Sequence, residues 1–285
     1  MVLQYLVGET VMTNQQDKKV RMKVPVEGNV LLSQVLDRIN NSDEIKTYWK
    51  VINTNAIDRR GMSDHGHVHF QIVANVGLRI LRLLKEKNIT PSVVTDFDLT
   101  YEHAEVIVFL ACIFHDLGMV IDREGHEEFS LVIAYDQLHK MLAFLPDEER
   151  VIITSEVMHA IISHRSGGHP RTIEAGVMRV ADALDMSEGR SRIPYEAGHV
   201  DIYSVSAAAI NNVEIKRGKE KPVRVFIKMN NSSGIFQVDE LLKKKITGSG
   251  IEKYVEVRAE VSSKNEKKLV KKLDLFPSEK DGLDN

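Results

Sequence analysis

The run VIVFLACIF, residues 106–114, is apolar throughout and ends directly in His115-Asp116-Leu117-Gly118. A segment with no polar face to turn to water must be covered on every side, so the chain has to be built around it as a buried post. The run is far below the roughly 18 residues that a membrane-spanning helix needs. Two polar side chains at its end therefore enter the protein interior, where unpaired groups are costly. A divalent cation coordinating both removes that cost; a capped helix end with an internal hydrogen bond is the alternative. A His-Asp pair arises by chance roughly once in a chain of this composition, so its setting carries the argument rather than its presence.

With 285 residues, 43% of them hydrophobic and 28% charged, the chain can form one large or two modest domains around a proper core. The net charge of −3 is well mixed along the chain, which argues against a nucleic-acid-coating surface or an electrostatic membrane anchor. Cys112, the single cysteine, excludes an intramolecular disulfide, suits a reducing compartment and reads as a buried structural thiol. The N-terminal MVLQYLVGETVMTNQQDKK lacks a basic region and an adequate apolar stretch, so no secretory signal is expected. A cytoplasmic protein is the expectation.

Apolar periodicity divides the chain into three parts. Residues 1–58 read as a β-hairpin, strands 4–11 and 19–26 around TNQQD, followed by lead-in helices over 31–39 and 44–57, with Ser42 as an N-cap. Residues 59–198 read as an all-helical domain. In it Val73, Val76, Ile80 and Leu84 form one face of a helix running from His69 to about 87, and further helices fall at 101–114, 127–142, 147–163 and 172–186. Residues 199–285 read as an α+β module: strands at 212–216, 223–229 and 254–261, a helix at 236–246, and a charged tail from 264, helical at its start. The fold class is mainly α.

A cation site needs further ligands converging from other helices. His69 starts the first apolar stripe of the helical domain, and Asp182 in GVMRVADALDM lies beside the face made by Val177, Val180, Ala181 and Leu184. The order His69, His115-Asp116, Asp182 resembles the HD superfamily of metal-dependent phosphohydrolases. The contexts HFQIVANVGLRIL, FLACIFHDLGMV and VMRVADALDM carry that resemblance, which covers residues 63–192.

The resemblance implies an all-helical HD domain in which His69, His115, Asp116 and Asp182 bind a divalent ion of Mn, Fe, Zn, Ni, Co or Mg. Some branches hold a second ion with extra histidines between the dyad and the last aspartate. His126 and His164 stand in suitable segments, with His159 and His65 as alternates. Ser163-His164 and GGHP replace the paired histidines and GYP signature of the branch that cleaves cyclic dinucleotides. Asp116, with His115, would be catalytic, ligating and orienting the attacking water. Arg165, Arg171, Arg190 and Arg192 occur in loops next to these ligands, and guanidinium forks suit phosphate oxygens; each is equally well read as an exposed solubilising charge.

The implied partner is a small phosphorylated substrate, a nucleotide foremost, cleaved as a phosphomonoester or phosphodiester. A metal-stabilised signalling or scaffold module, whose C-terminal part senses a ligand or forms a homodimer, is the alternative function. The alternating His65, His67 and His69 of DHGHVH also fit the strand of a barrel metallohydrolase, but no repeated strand-helix alternation comes after them. KRGKEK and LLKKK lack interleaved aromatics and read as solvated faces, so neither nucleic acid nor membrane is an expected partner.

Overall fold

The computed structural model describes residues 20–165, 167–186, 202–262 and 272–276. Its centre is α5 (Tyr101–Phe114), preceded by α1 (Val30–Asn41), α2 (Asp43–Asn53), α3 (His67–Lys85) and the short α4 (Ser92–Phe97). Every residue of α5 from Ala104 to Phe114 is buried. Helices α1 and α3, with α7 (Asp147–Ser163) and α8 (Ile173–Ala183), pack around it, and α6 (His126–Met141) lies on α7. Residues 101–120 have the length and hydropathy of a membrane span, but 89% of that window is buried inside the protein. The apolar run is thus the core post of the fold, covered by its own neighbours.

Local chemistry sets the helix starts. Asn29 accepts from the Leu32 amide, Ser42 from the Ile45 amide and Thr172 from the Ala175 amide, so α1, α2 and α8 each begin on a side-chain N-cap. Beyond α2 the chain continues as one π-helical turn, Thr54–Asp58.

The end of α5 is fixed by contacts from α6. Ser130 Oγ donates to the His115 carbonyl at 2.7 Å and accepts from the Gly118 amide at 2.7 Å. At Gly118 a Cβ would run into the His126 carbonyl oxygen and stand 2.6 Å from the Ser130 nitrogen. Only glycine lets the turn after the dyad lie this close to α6.

The C-terminal part holds α9 (Ile202–Ala208), β1 (Ile210–Arg217), β2 (Val223–Met229), a π-helical turn (Gln237–Leu242) running into α10 (Lys243–Ile246), β3 (Val255–Val261) and β4 (Lys272–Leu275). The sheet order is β1-β2-β3-β4, with β2 and β3 parallel and both outer pairs antiparallel. Val223, Val225, Ile227 and Met229 alternate into the core along β2, opposite Val255, Val257, Ala259 and Val261.

Three expectations about elements change. Strand 4–11 lies outside the described residues, and 20–26 is not a strand. It is a strap whose backbone is bound by side-chain amides: Asn40 takes both the Met22 N–H and C=O, and Gln71 and Asn75 take those of Lys23. The start of the tail lies outside the described residues too, but 272–275 forms β4, pairing antiparallel with β3. The single helix expected at 236–246 is a π-helical turn followed by one α-turn. Two short helices, α4 and α9, had no periodic signal because six or seven residues give too few repeats.

Candidate metal centre

His69 opens the inner face of α3, His115 and Asp116 close α5, and Asp182 sits in the last turn of α8. His126 starts α6 and His164 caps the end of α7. The helices thus deliver six side chains, all but Asp182 almost fully buried, to one point at the foot of a cleft of about 690 Å³.

His69 Nε2 lies 3.3 Å from His115 Nε2, and both are 3.6 Å from Asp182 Oδ1. Asp116 stands between two groups. Its Oδ2 is 3.4 Å from His115 Nε2 and 3.9 Å from His69 Nε2; its Oδ1 is 3.0 Å from His126 Nε2 and 3.9 Å from His164 Nε2. Potential donor atoms of His126, Glu127 and His164 form a second cluster.

The other ring nitrogen of each histidine fixes which nitrogen faces the centre. Nδ1 donates to the Cys112 carbonyl from His115 (2.9 Å), to the Ile161 carbonyl from His164 (2.6 Å) and to the Arg123 carbonyl from His126 (2.8 Å). His69 Nδ1 donates to Asp185 Oδ2 at 2.6 Å. With Nδ1 engaged in this way, the Nε2 atom of each ring is the one that faces the centre. His69 Nε2 and His115 Nε2 face each other across 3.3 Å, an arrangement satisfied by a shared proton or by a cation that both nitrogens ligate.

Donors 2.0–2.2 Å from a shared tetrahedral ion stand about 3.3 to 3.6 Å apart, and the His69, His115 and Asp182 atoms, at 3.3, 3.6 and 3.6 Å, have that spacing. The residues therefore fit a divalent ion. Electrostatics agree. Burial opposes charge on Asp116, but the His115 charge and the His126 hydrogen bond outweigh it and hold the carboxyl well below its ordinary range. Asp182 is also carried well below it, against burial, by Lys245 and His115. Burial likewise works against protonated His115, yet Asp116 and Asp182 raise its pKa above the ordinary value. Cys112 is inert, its thiol pushed well up by burial and then by Asp182.

The other predicted residues separate. His65 is buried, lines the cleft and has its ring 5.8 Å from that of His69. His159 does not line the cleft; its Nε2 accepts the Arg171 amide at 2.9 Å. Arg165 lines the cleft and pairs with Glu127 at 3.1 Å, whereas Arg171 is exposed and does not line it. Arg190 and Arg192 lie outside the described residues.

Sequence reasoning missed Glu127, Asp185, Lys245, Arg60 and Arg123, all of which line the same cleft. Asp185 carried a usable signal, three residues beyond Asp182 and so on nearly the same side of the chain. Lys245 had none, because only the tertiary fold brings it to the centre.

A helical bundle that brings inward-facing imidazoles and carboxylates together beneath an open cleft defines a metal-binding type of domain. The HD domain family matches residues 66–187. "Uncharacterized protein MJ1020" of Methanocaldococcus jannaschii is 42% identical over 228 residues, 80% of this chain and 88% of that protein. No solved structure matches the chain. The chain belongs to the HD superfamily of metal-dependent phosphohydrolase-type domains.

Proposed function

We propose that the protein hydrolyses a phosphomonoester or phosphodiester, a nucleotide foremost, at a centre built for two divalent ions. The carrying observation is the pair of imidazole Nε2 atoms that face each other at 3.3 Å, beside Asp182 and Asp116. His69, His115 and Asp182 would hold one ion and His126, Glu127 and His164 the other, with the two oxygens of Asp116 between them. Ions held there supply the Lewis acidity that makes water nucleophilic near neutral pH and offset charge on a phosphoryl group.

The chain's own residues do the rest. Asp116, buried and kept ionised, accepts a hydrogen from the attacking water and so orients it. Arg60, Arg123 and Arg165 on the cleft wall present guanidinium groups to phosphate oxygens. Tyr203 and Leu241 give the cleft an apolar side suited to the rest of an organic phosphate, such as a nucleoside.

The test is phosphate or nucleotide release by the purified protein with Mn²⁺, across a panel of nucleotides and simple phosphoesters. Turnover that disappears in Asp116→Ala supports the reading. No turnover of any substrate, despite stoichiometric metal, would favour the scaffold module instead.

A further inference from the structure

We infer that Lys245, carried by the C-terminal part of the chain, is a positioning residue of the metal centre. The inference rests on the metal reading above and extends it to a residue outside the matched HD segment.

One face of α8 is the seat of these contacts. Gly176, Arg179 and Asp182 recur at three-residue steps, and all three meet the C-terminal part. At Gly176 the Ser249 carbonyl fills the space that a Cβ would take, so the 248–250 loop lies directly on the helix. Arg179 is only 2% exposed; its Nε donates to the Lys245 carbonyl at 3.0 Å and its Nη2 to the Lys244 carbonyl at 3.2 Å, tying α10 down by its backbone. A third turn along, Lys245 Nζ donates to Asp182 Oδ2 at 3.0 Å and to the His164 carbonyl at 2.8 Å.

The Asp182 carboxylate is therefore divided. Oδ1 faces the imidazoles of His69 and His115, and Oδ2 is held by the ammonium. The same ammonium fixes the carbonyl of His164, a residue of the other ligand group. Lys245 thus orients one residue from each side of the centre without itself offering a lone pair. Outer partners that orient a ligating carboxylate typically change metal affinity or activity by about 10- to 100-fold when removed.

The test measures the Mn²⁺ dissociation constant of the full chain by chelator competition. Lys245→Met keeps the alkyl stem and loses the ammonium; it should weaken binding by about 10-fold or more. Lys245→Arg returns a cation and should recover part of the loss. Lys244→Met removes the same charge from a lysine whose ammonium pairs instead with Glu240, and should leave the constant unchanged. An unchanged or tighter constant in Lys245→Met, a Lys245→Arg variant equally weak, or an equal loss in Lys244→Met would overturn the inference. Asp116→Ala separates the two readings: if it abolishes binding while Lys245→Met does nothing, the metal centre stands and the positioning role fails.

Discussion

The ligating nitrogens depend on what lies behind them. Asp185 takes the His69 Nδ1 proton at 2.6 Å, fixing both the tautomer and the ring plane. Asp185→Ala should therefore weaken Mn²⁺ binding by about 10- to 100-fold with the fold retained; chelator competition beside circular dichroism reads both. His164 makes a pH prediction for the metal-free protein. Burial, then the charges of His115 and Lys245, push its pKa from 6.5 to about 3. Between those values the unfolded chain binds a proton that the folded chain does not, so stability falls as pH drops, by about 1.4 kcal/mol per unit. His115 has the opposite sign: its raised pKa gives stability that is complete below 6.5 and lost as pH rises through the folded value. Urea unfolding with chelator present should accordingly lose less stability from pH 6.5 to 5 in His164→Gln than in the parent chain, and equal losses would contradict this account of His164. His69, His115, Asp116 and Asp182 were legible in sequence because each sits at the edge or end of an apolar stripe. Glu127 and Lys245 were not, because nothing local distinguishes them from surface charges.

At the scale of elements, periodicity located the long helices closely. The 101–114 and 147–163 expectations coincide with α5 and α7. What it missed was decided by tertiary partners: a strap bound by Asn40, Gln71 and Asn75, and a strand that exists through its pairing with β3. The junction of α5 and α6 is the element contact that matters most for the site. Gly118→Ala forces the turn after the dyad away from His126 and Ser130. It should destabilise the protein by about 1–3 kcal/mol, as overpacking does, and lower metal content as well. Denaturant midpoints with metal analysis on the same sample check both; a variant that keeps full stability and full metal would remove this junction from the account.

Over the whole molecule, helices from the first two parts of the sequence build the bundle, and the third part covers its open end. The expected boundary at 198/199 lies outside the described residues, but Arg179, Gly176 and Lys245 tie the C-terminal part to α8. Composition and patterning separated the α+β part from the helical part; they carried no sign that Tyr203, Leu241 and Lys245 line the cleft above the centre. Because ions that bind the folded chain and not the unfolded one stabilise by mass action, Mn²⁺ at 100 times its dissociation constant should add about 2.7 kcal/mol to unfolding for each ion bound. A denaturation midpoint that ignores Mn²⁺ would argue against a preformed centre. The most direct measurement is the metal content of the purified protein beside Asp116→Ala, since the two oxygens of Asp116 face one ligand group each. The parent should hold up to two divalent ions per chain and the variant near none. Full metal content in a folded Asp116→Ala protein would contradict this.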